Sequence, residues 1–229
     1  MSTQRATVMA RDAAVVFDLD GVLVDSESIW DQARRDLVIQ LGGSWSPTAT
    51  RDMMGMSSRE WTAYMRDELS VPLTGERISS EVVGRVERRY EESLPLLPGA
   101  LEAVRTLAQV FPLGLASSSN REIIERFLDV SGLRDEFTVT VSSEEVTRGK
   151  PAPDVYLRAA ELLAASPSRC VAVEDSTNGI RAAVAAGMRV VAIPNTTFPP
   201  PTAVVHTADC VLGSLAELTV ELVGELLDG

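Results

Sequence analysis

Six short apolar runs, rich in β-branched residues and bounded by turn residues, recur along the chain at Ala13–Asp18, Leu113–Ser117, Phe137–Val141, Cys170–Glu174, Val190–Ile193 and Asp209–Leu212. They read as strands. Between them lie helix-period segments, Gly99–Gln109, Arg121–Val130, Pro153–Ala164 and Gly179–Ala186, punctuated by Pro or Asn at their starts and Gly at their ends. Strands that alternate with helices form parallel sheets covered on both faces, so the expected fold is a doubly wound, Rossmann-like α/β core. The interval from Ser28 to Leu94 breaks the rhythm. It holds helical patterns at Ile29–Leu41, Arg59–Leu69 and Ser80–Glu92 and no convincing strand. Residues 28–95 are therefore expected to form an inserted all-helical domain, with residues 1–27 and 96–229 as the α/β core. The chain re-enters the core through Leu94-Pro95-Leu96-Leu97-Pro98-Gly99, a stiff candidate hinge.

Composition narrows the function. The 229 residues are 45% hydrophobic and 24% charged, enough apolar surface for a substantial core. No apolar stretch approaches the roughly 18 residues of a membrane helix. The start, Met1–Val8, has no apolar signal-like region, so a cytoplasmic protein is expected. A net charge of −12 argues against nucleic acid or an anionic membrane as the main partner. Cys170 and Cys210 read as small buried hydrophobes, and with His206 the single histidine, a zinc cluster is not expected. Of the 21 basic residues only Lys150 is a lysine. A position that keeps a compact ammonium where arginine is otherwise used suggests a tight anionic site.

Three segments place chemistry at strand ends, the edge where open α/β sheets bind ligands, and a fourth holds the single lysine. The first strand runs into Asp18-Leu19-Asp20-Gly21, whose alternating carboxylates would share one side of an extended chain and call for a cation or proton between them. Glu174-Asp175 follows another strand and leads into Ser176-Thr177-Asn178-Gly179, where a serine can cap the next helix. Together these acids make an oxygen-rich site suited to Mg²⁺, with Ca²⁺ also compatible on ligand type. Ser117-Ser118-Ser119-Asn120 joins a strand to a helix start and offers both capping groups and an anion site. Gly149-Lys150-Pro151-Ala152-Pro153 holds the lysine in a stiffened loop.

In this order, over nearly the whole chain, these motifs resemble the haloacid dehalogenase-like (HAD) hydrolase superfamily, specifically its phosphatases and phosphomutases with a helical cap. The resemblance is specific in the core and weak in the cap. It implies Asp18 as the nucleophile that forms an aspartyl-phosphate and Asp20 as the acid and then the base, with a backbone carbonyl on Mg²⁺. Asp18, Asp20, Glu174 and Asp175 are the implied metal set. Ser117, Ser118, Asn120 and Lys150 are the implied phosphate site, Ser117 and Lys150 acting on the transferring group. Arg59 of the insertion is the implied substrate contact, whereas Met53, Met54, Met56, Trp30 and Trp61 read as packing.

Within the superfamily, dehalogenases lack the second aspartate that Asp20 supplies. Phosphonate hydrolases use a cap lysine, and residues 28–95 contain none. β-Phosphoglucomutases share the serine and Gly-Lys-Pro motifs but carry a histidine where this chain has Trp30. The expectation is a Mg²⁺-dependent phosphatase acting on a sugar phosphate or similar small phosphorylated metabolite. A β-phosphoglucomutase and a phosphoglycolate phosphatase are the alternatives, and a non-catalytic phosphosugar-binding regulator ranks lower because every core motif residue is present. The sequence does not address oligomeric state, and a monomer is compatible with it.

Overall fold

The computed structural model describes residues 12–54 and 56–229, so the expectation for Met1–Val8 and the position of Gly55 lie outside it. Six strands form one sheet: β1 (Ala14–Phe17), β2 (Leu113–Ser117), β3 (Val139–Ser142), β4 (Cys170–Glu174), β5 (Arg189–Ala192) and β6 (Cys210–Val211). Their order is β3-β2-β1-β4-β5-β6, and every neighbouring pair is parallel. This is the doubly wound arrangement anticipated from the alternation, with strand ends shifted by a residue or two. The helices among the described residues are α1 (Glu27–Gln40), α2 (Ala49–Met53), α3 (Ser58–Asp67), α4 (Gly75–Glu92), α5 (Ala100–Ala108), α6 (Arg121–Ser131), α7 (Asp154–Leu162), α8 (Thr177–Ala185), α9 (Thr202–Val205) and α10 (Val220–Asp228).

Alternate strand residues divide the core in two. Val15, Phe17, Leu113, Leu115, Val171 and Val173 pack with Val104 of α5, Phe127 of α6 and Val223 of α10. Ala14, Val16, Ala116, Cys170, Ala172 and Val190 pack on the other face with Tyr156 and Ala159 of α7 and Ile180 of α8. A strand buried on both faces needs the near-continuous apolar runs seen in the sequence.

Helices α1 to α4 form the insertion between β1 and β2. Helix α4 starts five residues ahead of the expected Ser80, because Thr74 accepts a hydrogen bond from the Arg77 N–H and the helix tolerates the Ser79-Ser80 pair. The insertion packs onto the first face of the core in one continuous apolar cluster that includes Trp30, Met53, Trp61, Met65 and Tyr90. Its two connections run side by side: Val24 and Leu96 form an antiparallel bridge, the Leu97 N–H donates to Leu23 (3.0 Å) and the Asp25 N–H to Pro95 (2.9 Å). Farther out, Arg126 of α6 pairs with Glu91 (2.9 Å) and Glu87 (3.5 Å) of α4.

Helices α9 and α10 were not anticipated, the first being a single turn after Pro201 and the second starting where Thr219 accepts from the Leu222 N–H. Cys170 is buried as expected, but Cys210 is only half-buried because β6 is a short edge strand; both thiols are free. No helix among the described residues is long and apolar enough to cross a membrane.

Candidate active site

The strand order reverses between β1 and β4, where a doubly wound sheet opens a crevice at its C-terminal edge. Phe17 is in register with Val173, and the Asp18 N–H donates to the Val173 carbonyl at 3.0 Å. That pairing sets Asp18 beside Glu174 and Asp175. All three are buried, and each offers an oxygen within 4.8 Å of the others. The turn after Asp18 needs a glycine: Gly21 has φ +85°, and a Cβ there would lie 2.0 Å from Asp175 Oδ2.

Lys150 reaches into this acidic cluster from the loop ahead of α7. Its side chain is 3% exposed, and its Nζ donates to Asp18 Oδ1 (2.8 Å) and Glu174 Oε1 (2.6 Å). The ammonium also lies 4.9 Å from the centroid of the Tyr156 ring, and the Tyr156 hydroxyl donates to Glu174 Oε1 at 2.7 Å. Burial opposes the lysine's charge, but Asp18 and Glu174 outweigh it and hold Lys150 above its ordinary range. Burial pushes the Asp18 carboxyl up to about 7 against the pull of Lys150, with Glu174 and Asp20 adding to the rise. Asp175 is driven well above the usual carboxylate range by burial and by its acidic neighbours Glu174 and Asp18.

Glu174 differs from the other two acids. Its Oε1 is taken by Lys150 and Tyr156, while Oε2 accepts from the N–H groups of Asp175 (3.1 Å) and Ser176 (3.3 Å) and from the Ser176 hydroxyl (3.2 Å). Ser176 also caps α8 by accepting from the Gly179 N–H at 3.0 Å, as its position after the strand suggested. Asp175 Oδ1, by contrast, is buried with no hydrogen-bond partner among the described residues, and among these Oδ2 accepts only from the Asn195 amide (3.3 Å). Buried acids that repel one another and leave an oxygen unsatisfied fit a hard divalent cation. Asp18 and Asp175 can serve as ligands, while the engaged oxygens of Glu174 suit it to orienting Lys150.

Asp20 also faces the cleft but is held separately, since β1 ends at Phe17 and residues beyond it turn rather than continue extended. Its Oδ1 accepts from the Ser26 hydroxyl and from Trp30 Nε1 (3.2 Å). Its Oδ2 accepts from the hydroxyls of Ser119 (2.6 Å) and Ser117 (3.5 Å). The side chain is therefore committed to hydroxyl and indole donors, leaving its backbone carbonyl for any metal contact. Ser117 is fully buried and accepts from the Ser119 N–H at 2.9 Å, so it lies beneath Asp20 rather than on the cleft wall. Ser118, Ser119 and Asn120 line the wall; the Asn120 amide donates to Glu144 (2.7 Å) and to Ser79 of α4 (3.2 Å).

The cleft between core and insertion has a volume of about 480 Å³ and contains Asp18, Asp20, Lys150 and Asp175 on its floor. Arg59 does not line it. At the start of α3 that side chain is exposed, and the arginines on the cleft wall are Arg34 of α1 and Arg51 of α2. Trp30 is 7% exposed and packs edge-on against Trp61 at 6.2 Å, as a core residue would, but its ring nitrogen also serves Asp20. Glu27, another lining residue, is pushed up to about 7 by burial and by Asp20. Tyr156 and Arg34 stand in no local motif; Ser119 lies in the serine run and Trp30 reads as packing, but nothing local marks either as a donor to Asp20.

The sequence profile of the haloacid dehalogenase-like hydrolases matches residues 13–187. Hexitol phosphatase B of Escherichia coli (strain K12) is 37% identical over 227 residues, covering 96% of this chain and 98% of that protein. A phosphorylated carbohydrates phosphatase of Thermotoga maritima is 33% identical over 177 residues, 76% of this chain and 82% of the relative. Among solved structures, CbbY from Rhodobacter sphaeroides in complex with phosphate superposes with a TM-score of 0.83 at 27% identity, over 94% of this chain and 99% of that one.

Proposed function

Because the chain belongs to the haloacid dehalogenase-like hydrolases, we propose that it is a Mg²⁺-dependent phosphatase that hydrolyses a small phosphate monoester, a sugar phosphate or similar, through an aspartyl-phosphate on Asp18. The observation that carries this reading is the Asp18 carboxylate at the tip of β1, bonded to the buried Lys150 and facing one cleft with Asp20 and Asp175. The phosphatase relatives lend the reaction class its support.

An Asp18 oxygen attacks phosphorus, the bond from phosphorus to the substrate oxygen breaks, and the leaving alkoxide takes a proton from Asp20. Asp20, now ionised, removes a proton from water. The resulting hydroxide attacks the phosphoryl group, the Asp18–phosphorus bond breaks, and inorganic phosphate leaves. The hydroxyl and indole donors around Asp20 hold its carboxyl in one orientation through both halves of this cycle. Lys150 places positive charge beside the nucleophile, and Glu174 and Tyr156 fix that ammonium in place. Ser118 on the wall would contact phosphoryl oxygens, while Asn120 spends its amide donors on Glu144 and Ser79 and Ser117 supports Asp20 from below. Asp18, Asp175 and the Asp20 carbonyl would hold Mg²⁺, which when bound supplies charge against the phosphoryl oxygens. Residues 28–95 are read as a cap domain that excludes water when closed over the core.

Phosphate release from a panel of hexose, pentose, polyol and glycolate phosphates, with and without Mg²⁺, tests the reading. The expected result is metal-dependent release by the wild type and none by Asp18→Asn with its fold retained. Release by that variant, or interconversion of β-glucose 1-phosphate and glucose 6-phosphate without release, would overturn it.

A further inference from the structure

Helix α1 carries Trp30 and Arg34 four residues apart, so both point from one face of the helix toward the cleft. Trp30 turns its ring nitrogen to Asp20 and its face to Arg34. The Arg34 guanidinium carbon lies 4.9 Å from the Trp30 ring centroid and 5.1 Å from that of Trp61. Two indoles thus fix a planar cation on the cleft wall, one ring away from the acid–base carboxylate.

The protein supplies this cation with little in return. Glu27, Asp20 and Asp31 act on Arg34 only through space, and burial outweighs them, pushing the guanidinium down to about 10. Its buried Nε has no hydrogen-bond partner among the described residues. A guanidinium held half-buried between two indoles with a buried donor unused favours a ligand that fills it. Arg51 lines the same cleft, and Glu27 is the lining carboxylate nearest in sequence to oppose an anion there. Beyond Lys150 and the acids Asp18, Asp20 and Asp175 of the floor, the cleft wall carries these two arginines and one carboxylate.

We propose that Arg34 is a specificity residue that grips an anionic group, a carboxylate or a second phosphate, at the end of the substrate remote from the phosphate that is removed. The planar fork matches either group bidentately, which a lysine in its place would not. The inference rests on the phosphatase reading for the identity of the other end of the ligand.

Calorimetric binding to the Asp18→Asn protein in Mg²⁺ tests it with three ligands. Sorbitol 6-phosphate has a neutral far end, 6-phosphogluconate a carboxylate and glucose 1,6-bisphosphate a phosphate. At least one acid-ended ligand should bind about tenfold more tightly than sorbitol 6-phosphate, the scale of one charge-assisted contact. That preference should collapse in the Asp18→Asn, Arg34→Gln double variant. Which acid-ended ligand wins identifies the anion. Equal binding of all three, no measurable binding of either acid-ended ligand, or a preference that survives Arg34→Gln overturns the proposal. If the double variant does not fold, the three-ligand comparison on Asp18→Asn decides alone. A binding preference without phosphate release by the wild type refutes the phosphatase reading and leaves the Arg34 site standing; release without preference does the reverse.

Discussion

Lys150 sits where two buried carboxylates converge, so its removal has two consequences. Lys150→Met takes positive charge from beside the nucleophile, and kcat should fall about a hundred- to thousandfold, the range seen when one preorganised electrostatic contact is lost. It also leaves Asp18 and Glu174 without their shared partner, and in EDTA stability should drop by about 3 kcal/mol. Steady-state kinetics and urea melts check the two effects separately. Glu27 gives a pH prediction of definite sign. Its folded carboxyl is held near 7 by burial and Asp20, with Arg34 pulling the other way, against an ordinary value of 4.5. Between those values the unfolded chain releases this proton while the folded chain keeps it, so the contribution to stability is intact below pH 4.5 and lost as pH rises to 7. Glu27→Gln should make the decline in urea midpoint from pH 5 to pH 7 shallower; an unaltered decline refutes the assignment. Asp18, Asp20 and Asp175 were legible because each stands in a short motif at a strand end, and Lys150 because it is the chain's single lysine, in a loop stiffened by prolines. Arg59 was not placed correctly, because its direction depends on how α3 is rotated against its neighbours.

At the level of elements, the tight approach of α8 to β4 positions the acids. Gly179 lies in the first turn of α8, and a Cβ there would fall 1.8 Å from Glu174 Oε1, the oxygen that holds Lys150 and Tyr156. Gly179→Ala therefore has no room without displacing that carboxylate. It should cost about 2 kcal/mol, as overpacking of a filled site does, and lower kcat together with stability; a variant with wild-type melting and turnover would contradict this geometry. The strand and helix pattern of the core was readable from sequence, since period and punctuation are local properties. The true start of α4 and the existence of α10 were less visible, because Thr74 and Thr219 set those starts by single side-chain caps that resemble ordinary loop threonines.

For the molecule as a whole, the acidic crevice couples folding to cation binding. Asp18 and Asp175 repel in the folded chain and are far apart in the unfolded one, so a bound cation stabilises only the folded state. Mg²⁺ at a hundredfold excess over its Kd should raise stability by about 2.7 kcal/mol. Asp175→Asn should abolish that gain and, by replacing a carboxyl that must take up a proton to be buried, raise the melting temperature of the metal-free protein at neutral pH. Differential scanning calorimetry with EDTA and with Mg²⁺ reads both. A Mg²⁺ gain that persists in Asp175→Asn would place the cation elsewhere.

The parallel sheet, the helical insertion and the strand-end carboxylates follow from local pattern, since alternation, turn residues and adjacent acids all act over a few residues. What each of these groups touches depends instead on how the assembled core packs. Lys150 meets Asp18 across 132 residues of chain, and Ser119 meets Asp20 across 99. Trp30, readable only as packing, becomes a donor to Asp20 through the direction in which α1 leaves the turn at Gly21. Glu174 stands in the same pair as Asp175 but turns to Lys150 because Tyr156 of α7 and the first turn of α8 close around it. Such partnerships depend on strand register and helix rotation, which follow from packing the entire core rather than from any local pattern.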